Sequence, residues 1–252
     1  MLFRIEGPVA VITLDQPDKR NAISANMWRQ LPLLVERANS SDAARAIVVT
    51  GAEGHFAAGA DISEFEKVYE TPETAESYTR TMLDGLAALE ASAKPTIAEI
   101  RGACIGGGMS IALACDFRLA DQTARFGITP GKLGLVYSAD DTRRLVSAVG
   151  IGAAKRLLMT AEIIRAEEAR AIGLVDQLAP PDRLLDEVSG LAATIGKNSQ
   201  WSVRATKRMF RLLGADDTDA AKALLLQAFN GPDFREGYRA FLEKRLPDFP
   251  TK

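Results

Sequence analysis

Two segments of small residues could surround a single oxygen atom with backbone N–H groups. Residues 56–62 read FAAGADI and residues 102–108 read GACIGGG, and each pattern predicts a β-strand that runs into a helix. Glycine and alanine let a ligand carbonyl approach the backbone, and a helix N-terminus supplies unpaired N–H groups and positive potential. Either segment alone is typical of an ordinary turn. Together they predict an oxyanion hole, which would stabilise an enolate.

The sequence around these segments alternates between short apolar strands and amphipathic helices. Strands are predicted at residues 9–14, 46–50, 96–100, 116–120 and 124–126, and helices after the N-cap Ser24 and at residues 75–89 and 107–115. From residue 140 onward the pattern is helical almost throughout. This alternation favours an α/β core of parallel strands covered by helices, followed by a helical C-terminal region. Such a region often packs on a neighbouring subunit, so we expect an oligomer.

Length, composition and charge narrow the classes of protein. A chain of 252 residues fits one large domain with at most a small appendage, and 47% apolar with 25% charged residues is typical of soluble globular proteins. The net charge of −2 argues against a nucleic-acid partner. Two cysteines and one histidine argue against a disulfide scaffold and a zinc site. Without a signal-peptide pattern or an uncharged apolar run of about 18 residues, we expect a cytoplasmic protein with no membrane contact.

Several motifs taken together resemble the enoyl-CoA hydratase/isomerase superfamily, also called the crotonase superfamily, over nearly the whole chain. They are LDQP at residues 14–17 with RNA at 20–22, FAAGADI at 56–62, GGG at 106–108, DF at 116–117, AIGLV at 171–175 and FLEKRLP at 241–247. The resemblance implies a crotonase-like spiral of ββα repeats over residues 1–196 that binds acyl-CoA. It also implies a helical trimerisation region over residues 197–252, and hence a homotrimer or a dimer of trimers.

The resemblance also implies roles for individual residues. The backbone N–H groups of Ala60 and Gly107 would be the oxyanion donors. The residues that would bind the acyl-CoA substrate are Arg20, Ala22, Ala58, Gly59, Asp61, Ile62 and, near the 3′-phosphate, Lys244. A lysine near a helix end can equally complement the helix dipole. Because coenzyme A is part of the substrate, we expect no separate cofactor and no metal.

The chain departs from the family's hydratases at two positions that matter for proton transfer. Those hydratases use two glutamates to activate water, whereas the corresponding positions here hold Ser110 and Pro130. Neither side chain can accept a proton near neutral pH. The usual hydration mechanism therefore lacks both of its carboxylates.

The segment that contains Pro130 carries a second, more specific resemblance. Residues 129–137, TPGKLGLVY, are similar to the T-P-x-x-L-G-x-x-Y stretch of methylmalonyl-CoA decarboxylases in this superfamily. The resemblance puts Thr129 and Tyr137 at the acyl end of the pocket. Loss of CO₂ forms an enolate without removal of a proton, so no base is needed. Tyr137 would then orient the substrate carboxylate or a proton-delivering water, unless it is only an aromatic wall of the pocket.

The match to these decarboxylases is incomplete, because they keep the first glutamate and this chain has Ser110. Asp140 and Asp141 follow Tyr137 directly, and either could stand in for the absent carboxylates. Aspartates at the start of a helix also serve as caps and complement the helix dipole. Both interpretations stay open on the sequence alone.

The sequence thus leads to one principal hypothesis and several alternatives. The principal one is an enoyl-CoA hydratase/isomerase-family enzyme that acts on an acyl-CoA thioester through an enolate held in an oxyanion hole. Decarboxylation of a methylmalonyl-CoA-type substrate comes second, and a lyase reaction on a specialised thioester third. The remaining alternative is an acyl-CoA-binding protein that has lost its chemistry along with the glutamates.

Overall fold

The structure is a computed structural model that describes residues 1–250. The strands are β1 (Leu2–Glu6), β2 (Val9–Leu14), β3 (Ala46–Gly51), β4 (Thr96–Ile100), β5 (Ala103–Ile105), β6 (Phe117–Asp121), β7 (Arg125–Gly127), β8 (Ile163–Arg165) and β9 (Gln177–Ala179). The helices are α1 (Ala25–Asn39), α2 (Phe65–Val68), α3 (Pro72–Ala91), α4 (Gly107–Ala114), α5 (Ala139–Thr160), α6 (Ala166–Ala171), α7 (Leu184–Lys197), α8 (Gln200–Gly214), α9 (Thr218–Ala228) and α10 (Pro232–Leu242).

Within residues 1–250 the strands form two sheets. The larger is six-stranded in the order β1-β2-β3-β4-β6-β9, and the smaller is three-stranded in the order β5-β7-β8. In the larger sheet β1 pairs with β2 antiparallel and the other pairs are parallel. Strands β2, β3 and β4 are nearly continuous apolar runs, as parallel strands covered on both faces require.

Helices cover both faces of the larger sheet. On one face α1 and α3 pack together and bury Trp28, Leu31, Leu86 and Leu89 completely. Helix α1 begins where the sequence predicts, because Ser24 accepts a hydrogen bond from the Met27 N–H at 3.2 Å. On the other face α7 packs against the opposite side chains of the same strands. This arrangement confirms the expected mixed α/β core and its helical C-terminal region.

Residues 56–62 differ from the predicted strand that runs into a helix. Their pairing is limited to two isolated bridges, Ala57 with Cys104 and Ala60 with Ile23, and a single 3₁₀ turn at Ile62–Glu64 precedes the four-residue α2. The prediction of a regular strand was wrong here. The backbone N–H groups of this segment donate first to carbonyls in and before β5 and then to the carbonyls of Arg20 and Ile23, so no continuous ladder with one strand forms.

The C-terminal helical region follows α7, whose last residue is Lys197. The expected division of the chain between residues 196 and 197 lies one residue before this helix end and stays a prediction. Helix α8 is fixed to the core by Lys207, whose Nζ donates to Asp116 Oδ2 at 2.7 Å and to the Lys94 carbonyl at 3.1 Å. In the described part of the chain, none of the helices has the length and apolar character needed to cross a bilayer.

Candidate active site

The two small-residue turns lie against each other. The Ile23 N–H donates to the Gly59 carbonyl at 2.7 Å, and the Asp61 N–H donates to the Ile23 carbonyl at 3.0 Å. A bridge of this kind turns the N–H of the residue between them, Ala60, away from Ile23. A β-carbon on Gly107 would lie 3.5 Å from the Ala60 nitrogen. The first residue of α4 and the first turn are therefore immediate neighbours.

Both turns depend on backbone conformations that favour glycine. Gly59 has φ +118° and Gly106 has φ +49°, where a side chain would be strained. The Gly106 N–H donates to the Gly127 carbonyl at 2.9 Å, which fixes the start of α4 against β7. Gly107 is the first residue of α4, so its N–H has no partner within the helix. This N–H is thus free for a ligand oxygen.

One cavity of about 150 Å³ opens beside these turns. Its wall contains the residues of both turns, a group of apolar side chains and a polar group at the end formed by α4 and the loop before α5. The lining residues are Ala58, Gly59, Ala60, Ile62, Phe65, Tyr69, Tyr78, Met82, Gly106, Gly107, Ser110, Thr129, Pro130, Leu133, Leu135, Val136, Tyr137, Ser138 and Asp141. Ala60 and Gly107 therefore share one cavity.

The polar end of the cavity is a connected set of hydrogen bonds. Ser110 Oγ lies 2.9 Å from Tyr137 Oη and donates to Asp141 Oδ2 at 3.1 Å. Asp141 is only 1% exposed, and Arg144 Nη1 donates to its other oxygen at 3.0 Å. Arg144 Nη2 also donates to Glu90 Oε2, at 2.6 Å. The carboxylate that reaches the cavity is thus buried with a paired positive charge.

Tyr137 keeps its proton in this setting. Burial, and next the nearby Asp141 carboxylate, raise the pKa of the Tyr137 phenol well above its usual value, while the hydrogen bond with Ser110 opposes the shift. A phenolate beside a buried carboxylate would place two negative charges together in a medium of low polarity. Tyr137 therefore acts as a neutral hydrogen-bonding group.

Asp61 supports the first turn from behind. Its carboxylate accepts hydrogen bonds from Lys19 Nζ at 2.7 Å, Gln16 Nε2 at 3.0 Å and Ser63 Oγ at 2.7 Å. Burial raises the pKa of Asp61, but the hydrogen bonds from Lys19, Ser63 and Gln16 outweigh it and hold the pKa well below its usual value. The charged Asp61 therefore fastens residues 16–19 to the turn that contains Ala60.

The structure brings most of the predicted site residues to this cavity. Those that line it are Ala58, Gly59, Ala60, Ile62, Gly107, Thr129, Tyr137 and Asp141. Arg20 is exposed, but its carbonyl accepts the Ala58 N–H at 3.0 Å, so it lies beside the first turn. Ala22 is buried two residues further on.

Two predicted residues lie elsewhere. Asp140 is exposed and pairs with Arg143 at 3.3 Å, so only the second of the two adjacent aspartates reaches the cavity. Lys244 is exposed after the end of α10 and does not line the cavity. Its contact with a 3′-phosphate stays a prediction.

Sequence reasoning missed the groups behind and opposite the polar end. Arg144 stands three residues after Asp141, which is the spacing of a helical ion pair and a signal that could have been used. Glu90 gives no such signal, because only the fold brings it to Arg144. The opposite wall includes Phe65, Tyr69 and Tyr78, whose rings make successive edge-on contacts at 5.0 and 5.6 Å.

Comparison with known proteins shows the family to which the chain belongs. The sequence model of the enoyl-CoA hydratase/isomerase family matches residues 4–252, and the chain belongs to this family. It is 34% identical to a crotonyl-CoA hydratase from Syntrophomonas wolfei, an alignment that covers 100% of this chain and 98% of that protein. It is likewise 34% identical to a short-chain-enoyl-CoA hydratase from Clostridium acetobutylicum, with coverage of 97% and 95%.

Solved structures show the same relationship in three dimensions. A crystal structure of a protein from Hyphomonas neptunium, ascribed to the enoyl-CoA hydratase/isomerase family, is 48% identical and superposes with a TM-score of 0.96. The match covers 100% of this chain and 97% of that one. The fold described above is therefore the crotonase fold.

Proposed function

We propose that this protein acts on an acyl-CoA thioester and stabilises its enolate with the backbone N–H groups of Ala60 and Gly107. The observation that carries the proposal is the close approach of the two turns, because Ala60 and Gly107 both line one cavity. Two preorganised donors aimed at one oxygen are worth most where negative charge develops, as on the thioester oxygen of an enolate. The same site would hold an unreacted thioester more weakly.

The coenzyme A moiety would lie along residues 20–22 and 58–62. Residues 58–62 belong to the first turn and Arg20 lies beside it, and Ile62 is 59% exposed although it lines the cavity. An exposed apolar side chain at a cavity mouth suits the pantetheine part of such a ligand. Lys244 would supply a positive charge for the 3′-phosphate from the C-terminal region.

The reaction we favour is of the enoyl-CoA hydratase/isomerase type. Its support is the membership of the family and the two amide donors. In hydration, the hydroxyl of water adds to the β-carbon and a proton adds to the α-carbon, while negative charge is held on the thioester oxygen. Since Ser110 and Pro130 occupy the glutamate positions, Tyr137 would position the water or the acyl group, with Asp141 behind it as the carboxylate of the site.

Decarboxylation is the second candidate. It is supported by Thr129 and Tyr137, which both line the acyl end of the cavity. In that reaction the bond to the carboxylate breaks, CO₂ leaves, and the electron pair remains as the enolate, so no base takes part. A proton from water would then complete the product.

We also propose that the protein is a homotrimer or a dimer of trimers. The support is a group of exposed apolar side chains on α9, α10 and the residues between them, with exposures of 55% for Leu225, 54% for Phe229 and 83% for Phe241. Such patches on a helical region mark surfaces that pack on other chains. Light scattering coupled to size-exclusion chromatography measures the mass directly, and a monomer at micromolar concentration would contradict this assignment.

The experiment that separates the candidates uses one preparation and two substrates. Crotonyl-CoA and methylmalonyl-CoA are incubated separately with the full chain, and the thioesters are followed by mass spectrometry. Turnover of either one that Gly107→Ala strongly reduces would support enolate stabilisation, and the substrate consumed would identify the reaction. Binding of butyryl-CoA without turnover of either substrate would point instead to a non-catalytic acyl-CoA-binding protein. No binding of any acyl-CoA would contradict the proposed function.

A further inference from the structure

We propose that Asp141 fixes the direction of the hydrogen bonds at the acyl end of the cavity, so that Tyr137 offers an acceptor there and the site selects neutral acyl groups over carboxylate-bearing ones. The inference rests on the proposed acyl-CoA site and specifies its substrate class. It favours the hydratase/isomerase candidate over decarboxylation.

The direction of these hydrogen bonds follows from the fact that the Ser110 hydroxyl has only one proton to donate. Its hydroxyl contacts Asp141 Oδ2 at 3.1 Å and the Gly106 carbonyl at 3.4 Å, and neither oxygen can donate. The serine proton is therefore committed to one of these two acceptors. The 2.9 Å contact with Tyr137 is a hydrogen bond only if Tyr137 is the donor and Ser110 Oγ the acceptor.

Arg144 holds the Asp141 carboxylate in the position where it accepts a hydrogen bond from Ser110. Its guanidinium donates to Asp141 Oδ1 at 3.0 Å and is itself held by Glu90, to which Nη2 donates at 2.6 Å and Nε at 3.1 Å. Both oxygens of the carboxylate therefore act as hydrogen-bond acceptors, one for Arg144 and the other for Ser110. Asp141 and Arg144, which both lie on α5, therefore determine the direction in which the Ser110 hydroxyl points.

Tyr137 then has no proton left for a ligand. Its hydroxyl proton points to Ser110, so its lone pairs are what the cavity receives. Among residues 1–250 no lysine or arginine lines this cavity, whereas Asp141 does. A carboxylate on the acyl group would meet the Tyr137 lone pairs and the Asp141 carboxylate, whose arginine partner is already shared with Glu90, whereas a hydroxyl group or a bound water could donate to Tyr137.

The test compares three thioesters by isothermal titration calorimetry on the full-length protein. They are 3-hydroxybutyryl-CoA, butyryl-CoA and malonyl-CoA, and the recovered thioester is checked by mass spectrometry. We expect malonyl-CoA to bind at least about tenfold more weakly than butyryl-CoA, the effect of one unfavourable interaction with a charged group. A wild-type protein that prefers malonyl-CoA would overturn the inference.

Two variants should reverse or release the hydrogen bond between Tyr137 and Ser110 without removing Tyr137. In Asp141→Asn, Arg144 still needs an acceptor, so the amide oxygen faces Arg144 and the amide nitrogen donates to Ser110. The serine proton becomes available to Tyr137, and the Tyr137 hydroxyl can donate into the cavity. Ser110→Ala frees the same hydroxyl without altering any charge. We expect each variant to reduce the discrimination between butyryl-CoA and malonyl-CoA by about tenfold.

The matched control is Asp140→Asn, the same change on the adjacent, exposed residue, which should leave the ratio unchanged. A purely structural role for Asp141 would weaken the binding of all three thioesters equally. Unchanged ratios in both Asp141→Asn and Ser110→Ala would overturn the inference and leave the proposed function intact. Absence of any acyl-CoA binding by the wild type would instead overturn the proposed function, and this inference with it. Circular dichroism shows whether each variant is folded, and if one is not, the other decides.

Discussion

Lys207 of α8 and Thr96 of β4 share one oxygen of Asp116. Lys207 Nζ donates to Asp116 Oδ2 at 2.7 Å, and the Thr96 N–H donates to the same oxygen at 2.7 Å. Lys207 is 9% exposed, so its charge is largely removed from water. The Asp116 carboxylate therefore joins helix α8 to strand β4 of the larger sheet.

Replacing Lys207 by methionine should lower the free energy of unfolding by about 2 kcal/mol, since Asp116 loses its charged partner. The loss should be below that of a fully buried pair because the Asp116 side chain is 30% exposed. Urea denaturation followed by circular dichroism measures it. Lys155→Met, on the exposed surface of α5, is the control and should have almost no effect. Equal effects of the two changes would show that the contact with Asp116 is not stabilising.

Gly107→Ala should reduce turnover at least about tenfold, because the new methyl group would lie 3.2 Å from Trp28 and 3.5 Å from the Ala60 nitrogen. The amide of residue 107 would shift away from the thioester oxygen, while coenzyme A should bind as before. Steady-state kinetics together with calorimetry of free coenzyme A separate the two effects. The corresponding change at Gly152, where a β-carbon meets open space, should be neutral. Full activity of Gly107→Ala would remove this amide from the mechanism.

Tyr137→Phe should lower kcat about tenfold or more, since the ring remains and only the hydrogen-bonding oxygen is lost. The affinity for coenzyme A should stay nearly unchanged because that part of the ligand is bound by other residues. Kinetics and calorimetry on the same preparation give both values, with Tyr238→Phe on α10 as the control. A wild-type rate would make Tyr137 only a wall of the pocket.

The stability of the protein should rise as the pH is raised from about 8 to about 10. Lys94 is 3% exposed, and its Nζ donates to the carbonyls of Ala38 and Ser41. Burial first, and then the nearby Arg204 and Arg45, lower the pKa of Lys94 from 10.5 to about 8, with a small opposing effect of Asp42. Within this interval the unfolded chain holds a proton that the folded chain has released, so increasing pH favours folding.

Below about pH 8 both the folded and the unfolded chain hold the Lys94 proton, so Lys94 adds no pH dependence to the stability there. A neutral amine keeps N–H donors for both carbonyls. Urea denaturation at a series of pH values checks the expectation, and Lys94→Gln, which keeps donors but cannot titrate, should lose the rise. Parallel curves for wild type and variant would show that another group is responsible.

The sequence predicts the buried part of the fold better than its edges. Strand β4 and helix α4 were predicted within a residue or two because uninterrupted apolar runs admit few other structures. Strands β1 and β8 were missed, and β9 is indicated only by the resemblance of residues 171–175 to a turn that leads into a strand. Strand β1 is mostly exposed, and β8 and β9 have three residues each, so these elements exist only because a neighbouring strand pairs with them.

The residues of the candidate site could likewise be predicted only in part from the sequence. The motifs point to Ala60 and Gly107 because small residues at a turn let a ligand approach the backbone closely. The structure places both residues at one cavity. The ion pair between Arg144 and Glu90 joins residues 54 positions apart, and no local pattern signals it. Which of Asp140 and Asp141 reaches the cavity also depends on how α5 is rotated against α4, and packing alone decides that.

The short sheet of β5, β7 and β8 holds two parts of the candidate site in fixed positions. Strand β5 leads into the amide of Gly107 and β7 leads into Thr129, and the two strands are locked in register from Ala103 opposite Arg125 to Ile105 opposite Gly127. Substitutions in the segment after β7 should therefore leave the Gly107 amide in place. A scaffold built in this way accepts new side chains in one loop, which in this chain contains Thr129 and Pro130, whereas Ser110 lies on α4 beside the amide itself.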